Sequence, residues 1–305
     1  MTNVKLSQKI CGVNFKNPLI MASGTYGYGR EFSKYIDLNE LGGICTKAVT
    51  LKARTGNAPP RVAEVACGML NSVGLQNKGI EYFVEKELPF LYDFDTRIIA
   101  NISGETKEEF VELAKILSKE KIDMIEVNVS CPNVKNEGMS FGIDEKSVYD
   151  ITYAVKEVSS KPVIIKLTPN VTNIVKIASA AKSGGADAVS LINTLLGMSI
   201  NINTRRPVLK NNVGGLSGPA VKPVAVRMVW QVSSAVDIPI IGMGGISTWE
   251  DAAEIMLAGA SLVSVGTANF LYPGVPIEIR DGLREYMEKN NIEKIGDITG
   301  AVVPY

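Results

Sequence analysis

The chain contains no histidine. The side chain that most often moves protons near neutral pH, and the commonest zinc ligand, is therefore missing. Acid–base chemistry falls to Cys, Lys, Asp, Glu or Tyr. Residues of chemical type gather at the ends of apolar runs. Lys47 ends a run within 42–50, Asn101 one within 97–104, and Asn128, Ser130 and Cys131 close the run at 124–130. Lys166 lies inside 162–169, and Asn193 and Thr194 close 188–194. Burying an ammonium is costly unless it is paired or beside an anion. Two lysines and three asparagines at neighbouring run ends therefore point to a binding site rather than to plain scaffold.

The last two runs end in glycine, as GMGGI (Gly242, Gly244, Gly245) and VGTAN (Gly266, Thr267). Backbone N–H groups in such loops cradle phosphates, because no Cβ holds the ligand off.

The elements that must position these residues are legible as a repeating pattern. Runs of strand length occur at 18–24, 42–50, 97–104, 124–130, 162–169, 188–194, 239–246 and 262–268. They are β-branched, largely uncharged and bounded by Gly, Pro or polar residues, as strands buried on both faces are. Amphipathic helical stretches fall at 79–92, 106–119, 145–158, 172–183, 222–235 and 248–258, with another starting near Pro273. Thr106 and Glu109 form a capping-box pair. Eight strand–helix units in 305 residues fit a (β/α)8 TIM barrel, an α/β fold in which the site lies at the C-terminal ends of the strands. The expectation is one catalytic domain over 1–305. Its long inserted loops lie near 51–78, 131–142 and 195–221, and such insertions are often functional or form a small extra sheet. The segment 130–142, with Pro132, Gly138 and Gly142, has the composition of a lid.

The balance of 32 basic and 32 acidic residues argues against a nucleic-acid or anionic-membrane binder. Cys11, Cys45, Cys67 and Cys131 include no CxxC pair, so no metal site is expected on this chain. The start has no apolar core of signal-peptide length, which places the chain in the reducing cytoplasm. Residues 255–277 carry no charge, but Gly and Pro-Gly interrupt them. They are read as helix end, buried strand and loop, not as a membrane span.

NVSCPN (128–133), NSVGLQN (71–77), TKAVT with Lys47, INT (192–194), GMGGI and VGTAN, in this order, resemble the dihydroorotate dehydrogenases. The likeness runs from about residue 4 to the C-terminus. Cys131 in the base position resembles the soluble enzymes, and Gln76 resembles the B-type, NAD-linked branch rather than the fumarate-linked one. The related dihydropyrimidine dehydrogenases share the main motifs and are the nearest alternative.

The resemblance implies oxidation of (S)-dihydroorotate to orotate in pyrimidine biosynthesis, with one FMN on this chain. It also implies an electron-transfer partner subunit carrying FAD and [2Fe–2S] and reducing NAD+, around a homodimer core within a heterotetramer. It assigns Cys131 as base. Cys11, Cys45 and Cys67 are read as small buried hydrophobes. It gives substrate contacts to Lys47, Asn71, Asn128, Asn133, Asn193 and Thr194, with the backbone of Ser72, Val73, Gly74 and Leu75 donating to the substrate carboxylate. Flavin ring and ribityl contacts fall to Ser23, Lys47, Ala48, Asn101, Asn128, Ile192 and Gly218, with Lys166 on the N1–C2 side. Gly244, Gly245, Gly266 and Thr267 hold the phosphate.

Overall fold

A computed structural model describes residues 4–130 and 141–305. The strands, in chain order, are β1 (Gln8–Ile10), β2 (Val13–Phe15), β3 (Leu19–Met21), β4 (Gly43–Cys45), β5 (Val62–Val65), β6 (Gly68–Asn71), β7 (Arg97–Ile102) and β8 (Met124–Asn128). There follow β9 (Val163–Lys166), β10 (Ala188–Leu191), β11 (Leu195–Gly197), β12 (Ile200–Asn201), β13 (Arg206–Pro207), β14 (Gly214–Ser217), β15 (Ile240–Met243) and β16 (Leu262–Val265). Among the described residues, β3, β4, β7, β8, β9, β10, β15 and β16 form a closed barrel of parallel neighbours. Closure comes from β16 against β3, with Ser264 opposite Ile20. Each apolar run expected from the sequence supplies one of these strands.

Alternation along each strand sorts its residues into two layers. Ile98, Ala100, Ile125, Val127, Val163, Ile165, Val189 and Val263 pack outward against the helices. Ile20, Cys45, Ile99, Met124, Ile164, Ala188, Ile241 and Leu262 fill the barrel interior. Ile10 and Phe15 of the β1–β2 hairpin join this inner cluster. Cys11 Sγ donates to the Asp187 carbonyl just before β10, so the hairpin plugs the N-terminal mouth. Two residues further along the strands the interior becomes polar. Asn101, Glu126, Lys166, Ser190 and Ser264 follow Ile99, Met124, Ile164, Ala188 and Leu262, and all five are buried.

The helices are α1 (Gly79–Tyr82) and α2 (Leu88–Leu91), joined by a π turn at Phe83–Glu87, then α3 (Lys107–Leu117), α4 (Glu145–Lys156), α5 (Ile174–Ser183), α6 (Lys222–Ser233), α7 (Trp249–Leu257), α8 (Ala268–Leu271) and α9 (Val275–Lys289). Side-chain caps from Thr106, Asp144, Asn173 and Thr248 start α3, α4, α5 and α7. The expected capping box at α3 is only half formed. Thr106 accepts from the Glu109 N–H, but the Glu109 carboxylate reaches past it to the Glu105 N–H. The complete box is Thr248–Asp251.

The uncharged stretch 255–277 resolves into the end of α7, β16 and α8, and no helix among the described residues is long and apolar enough to cross a membrane. The insertions 51–78 and 195–221 do form a small sheet. Its antiparallel order is β11-β14-β6-β5, so the two insertions pair through β14 and β6.

Candidate active site

The polar layer of the barrel is organised around a residue that the sequence reading did not single out. Glu126 Oε1 accepts from Asn101 Nδ2 at 2.6 Å and from Cys45 Sγ at 3.1 Å, and Oε2 accepts from Ser190 Oγ at 2.7 Å. Lys166 Nζ lies 3.6 Å from Oε1. Strand register makes this meeting possible. Asn101 stands opposite Glu126 across β7–β8, and Ser190 opposite Lys166 across β9–β10. Burial by itself would raise the Glu126 carboxyl pKa. The Lys166 charge and the donors from Ser190, Cys45 and Asn101 outweigh it, and the net direction is down. The Cys45 thiol is pushed well up, first by burial and then by the Glu126 charge. Cys45 is thus more than a small hydrophobe, because it is a donor to a carboxylate. Cys67 also departs from that reading, since it is exposed where β5 turns into β6, at positive φ.

One layer higher, Asn128 stands opposite Lys166 across β8–β9. Asn193 Nδ2 donates to Asn128 Oδ1 at 3.2 Å and to Ser130 Oγ at 2.9 Å. The Thr194 N–H closes onto Asn193 Oδ1 at 2.8 Å. Asn170, absent from the sequence-derived set, donates to the Thr194 carbonyl at 2.9 Å and accepts from the Leu196 N–H, tying the loop after β10 to the loop after β9.

Lys47 follows β4 and is half-buried. Its pKa is lowered by burial first and by the Arg61 guanidinium second, with Glu31 opposing. Among the described residues it makes no ion pair, in contrast to Lys166 and Lys222. A half-buried ammonium beside a second cation is a place for an anion.

The small sheet brings Asn71 to the same mouth, opposite Gly215 of β14 and 3.4 Å from its carbonyl. The loop that follows corrects one expectation. The Ser72 N–H is not free for a ligand, because it donates to the Arg61 carbonyl at 2.8 Å. Among the described residues, the Ser72 hydroxyl is buried without a partner. Gly74 and Leu75 both take positive φ, and a Cβ on Gly74 would stand 2.6 Å from the Asn57 side chain, so only glycine fits there. Arg61 is held by Gln76 Oε1.

The glycine loops after β15 and β16 leave their donors unused. Among the described residues, the N–H groups of Gly244, Gly245, Gly266 and Thr267 take no part in turn or cap hydrogen bonds. A Cβ on Gly245 would meet the Lys222 backbone at 2.8–2.9 Å, so glycine lets the start of α6 approach this loop. Lys222 itself is occupied by Asp251 at 2.7 Å and Glu254 at 2.8 Å. Before α7, Asp251 accepts from the Ser247 and Thr248 N–H groups. An anion at these loops therefore meets backbone rather than lysine. Thr267 Oγ1 donates to Ser217 Oγ at 2.8 Å, which brings Gly218 (φ +102°) to the same corner.

Ser23 contributes its backbone N–H against the Cys45 thiol, Ala48 is buried beside Lys47, and the Ile192 N–H donates to the Met243 carbonyl. Cys131 and Asn133 lie outside the described residues, as does 131–140 of the expected lid. No group of three or more His, Cys, Asp or Glu among the described residues could hold a metal.

The comparisons with known proteins agree with the barrel fold. The family model for dihydroorotate dehydrogenase matches residues 5–287. A Thermoanaerobacter sp. (strain X514) protein named dihydroorotate dehydrogenase B (NAD(+)), catalytic subunit, is 56% identical over 299 residues, covering 98% of this chain and 99% of the relative. A protein of the same name from Alkaliphilus metalliredigens (strain QYMF) is 54% identical over 302 residues, covering 99% and 100%. Among solved structures, the Eimeria tenella DHODH in complex with ferulenol superposes with a TM-score of 0.80 at 22% identity, covering 97% of this chain and 88% of that one, a likeness of fold. With the family model spanning most of the barrel and relatives above half identity over nearly the whole length, the chain belongs to the dihydroorotate dehydrogenase family.

Proposed function

We propose that this chain, as one catalytic domain over 1–305, oxidises (S)-dihydroorotate to orotate in pyrimidine biosynthesis with an FMN at the C-terminal mouth of its barrel. The observation that carries the reading is Lys47, a half-buried ammonium without an ion pair among the described residues, at the same mouth as the Asn128–Asn193–Ser130 amide cluster. A dihydropyrimidine ring presents alternating N–H and C=O groups, which amides match in both senses. The carboxylate of dihydroorotate matches the lysine.

The residues present fit FMN. Among the described residues, Asn101 Oδ1 is buried without a partner, and Lys166 has only Glu126 at 3.6 Å beneath it. The glycine loops after β15 and β16 offer four N–H groups that take no part in turn or cap hydrogen bonds among the described residues, the donor chemistry a phosphate needs. When bound, FMN supplies the hydride-accepting ring.

The chain's own residues do the rest. Asn71, Asn128, Asn133, Asn193 and Thr194 orient the substrate ring. Lys47 and the N–H groups of Val73, Gly74 and Leu75 hold its carboxylate, without Ser72. Cys131 takes the C5 proton. Ser23, Lys47, Ala48, Asn101, Asn128, Ile192 and Gly218 flank the flavin and its ribityl chain, with Lys166 toward N1–C2. Gly244, Gly245, Gly266 and Thr267 take the phosphate.

The relatives' names include NAD(+) and the words catalytic subunit. They support a second proposal, that electrons leave through a partner subunit with FAD and [2Fe–2S] to NAD+. The chain is then the homodimer core of a cytoplasmic heterotetramer.

The test is direct. The purified chain, supplied with FMN, is mixed anaerobically with dihydroorotate or dihydrouracil. Bleaching by dihydroorotate alone supports the reading. Bleaching by dihydrouracil instead moves the activity to dihydropyrimidine dehydrogenase chemistry. Electron transfer from dihydroorotate to fumarate without a partner overturns the NAD+ branch.

A further inference from the structure

Glu126 and Lys166 are unequal members of the polar layer. Glu126 has no route to a ligand: Cys45 and Asn101 occupy Oε1 and Ser190 occupies Oε2, from three other strands. Lys166 is the reverse. It carries three donors, and among the described residues its ion-pair partner stands 3.6 Å away, beyond ordinary hydrogen-bond length. Asn128 lies beside it in the layer above, on the side of the mouth. A buried ion pair is weak evidence for stability, because apolar side chains of like volume fill a barrel as well. The pair is therefore better explained by what it presents upward.

We propose that Glu126 is a positioning residue that anchors Lys166 from below and offsets its charge, and so sets the electron affinity of the flavin ring above. The inference rests on the FMN reading given above. Reduction places negative charge toward the N1–C2 side of the ring, where a lysine stabilises it. A carboxylate under that lysine weakens the effect. Glu126→Gln keeps the shape and an acceptor oxygen but removes the charge. Reduced FMN should then be held about tenfold more tightly relative to oxidised FMN, an upward shift of about 30 mV for a two-electron couple.

The experiment is a potentiometric titration of the FMN-loaded full chain at pH 6, for wild type, Glu126→Gln, Lys166→Met and the double variant. Among the described residues, the titratable groups coupled to Lys166 are Glu126 and Cys45. The expected result is the upward shift in Glu126→Gln and its disappearance in the Lys166→Met background. A downward shift in Glu126→Gln overturns the proposal. A wild-type potential in Glu126→Gln, with a lowered melting temperature alone, overturns the proposal. So does a shift that persists without Lys166, or a flavin-loaded Lys166→Met at the wild-type potential.

If Glu126→Gln fails to fold, the double variant, which buries no net charge, carries the test: it must match Lys166→Met. A wild-type chain that neither turns yellow with added FMN nor quenches FMN fluorescence sinks the flavin reading itself, a different failure.

Discussion

The Asn193 side chain donates to Asn128 Oδ1 at 3.2 Å and so fixes which face of the Asn128 amide looks into the mouth. The same nitrogen holds Ser130 Oγ at 2.9 Å, immediately before the segment that carries Cys131. One amide thus aligns the ends of β8 and β10. Removing it in Asn193→Ala leaves Asn128 Oδ1 held by the Ser130 N–H alone, at 3.2 Å. Losing such bonds to substrate costs about 1–3 kcal/mol, or roughly 10- to 100-fold in kcat/KM for dihydroorotate. The FMN absorbance spectrum should be retained, and steady-state kinetics beside that spectrum checks both.

Lys47 predicts a pH dependence of opposite sign for ligand and for fold. Its pKa is lowered by burial and then by Arg61. Orotate binding needs the ammonium, so affinity falls as pH rises through that lowered value. In Lys47→Met the break disappears, and affinity at neutral pH drops about 10- to 100-fold, the range of a charge-assisted hydrogen bond. For the ligand-free chain, the unfolded state binds more protons at this group between the lowered value and 10.5. Stability from Lys47 therefore rises with pH through that window. Orotate titrations and melting curves across pH 7–11 read the two effects separately.

Cys131→Ala should slow flavin reduction by dihydroorotate by about 10²–10⁴, the usual range for losing a general base. FMN should stay bound. Stopped-flow bleaching at the wild-type rate would remove Cys131 from the mechanism.

Gly245→Ala tests the phosphate loop. The new Cβ meets the Lys222 backbone at 2.8–2.9 Å, and the residue sits at φ +76°. Strain of this kind costs about 1–3 kcal/mol. FMN affinity, measured by fluorescence quenching, should fall roughly 5- to 100-fold, with a smaller effect on orotate-independent properties such as far-UV circular dichroism.

Thr248→Ala removes the N-cap of α7, where the complete capping box sits. The expected cost is about 1 kcal/mol of stability with FMN binding unchanged, because the proposed phosphate donors are the N–H groups of the two glycine loops and not those of α7. Reduced FMN affinity in this variant would return the phosphate to that helix.

The eight barrel strands were legible because each is buried on both faces. An interior strand has to be a short apolar run, and such a run is visible without knowing its neighbours. Helix starts were legible at Thr106 because capping is local chemistry, although the sequence did not show that Glu109 would reach to Glu105. Lys47, Lys166 and the asparagines stood out because polar groups at the ends of apolar runs are expensive without a purpose.

Glu126 was not legible. It is one acid in MIEVNVS, and its meaning comes from Cys45, Asn101, Lys166 and Ser190 on four other strands. Only the register of the closed barrel brings them to one height. Nor could sequence show that the Ser72 N–H is spent on Arg61, that Asp251 takes the Thr248 N–H, or that the two insertions pair through β14 and β6. Local patterns determined what the elements are and where their ends carry chemistry, since propensity, burial and capping act over a few residues. Which polar groups meet, and which remain free for a ligand, was decided by long-range strand pairing that no local pattern encodes.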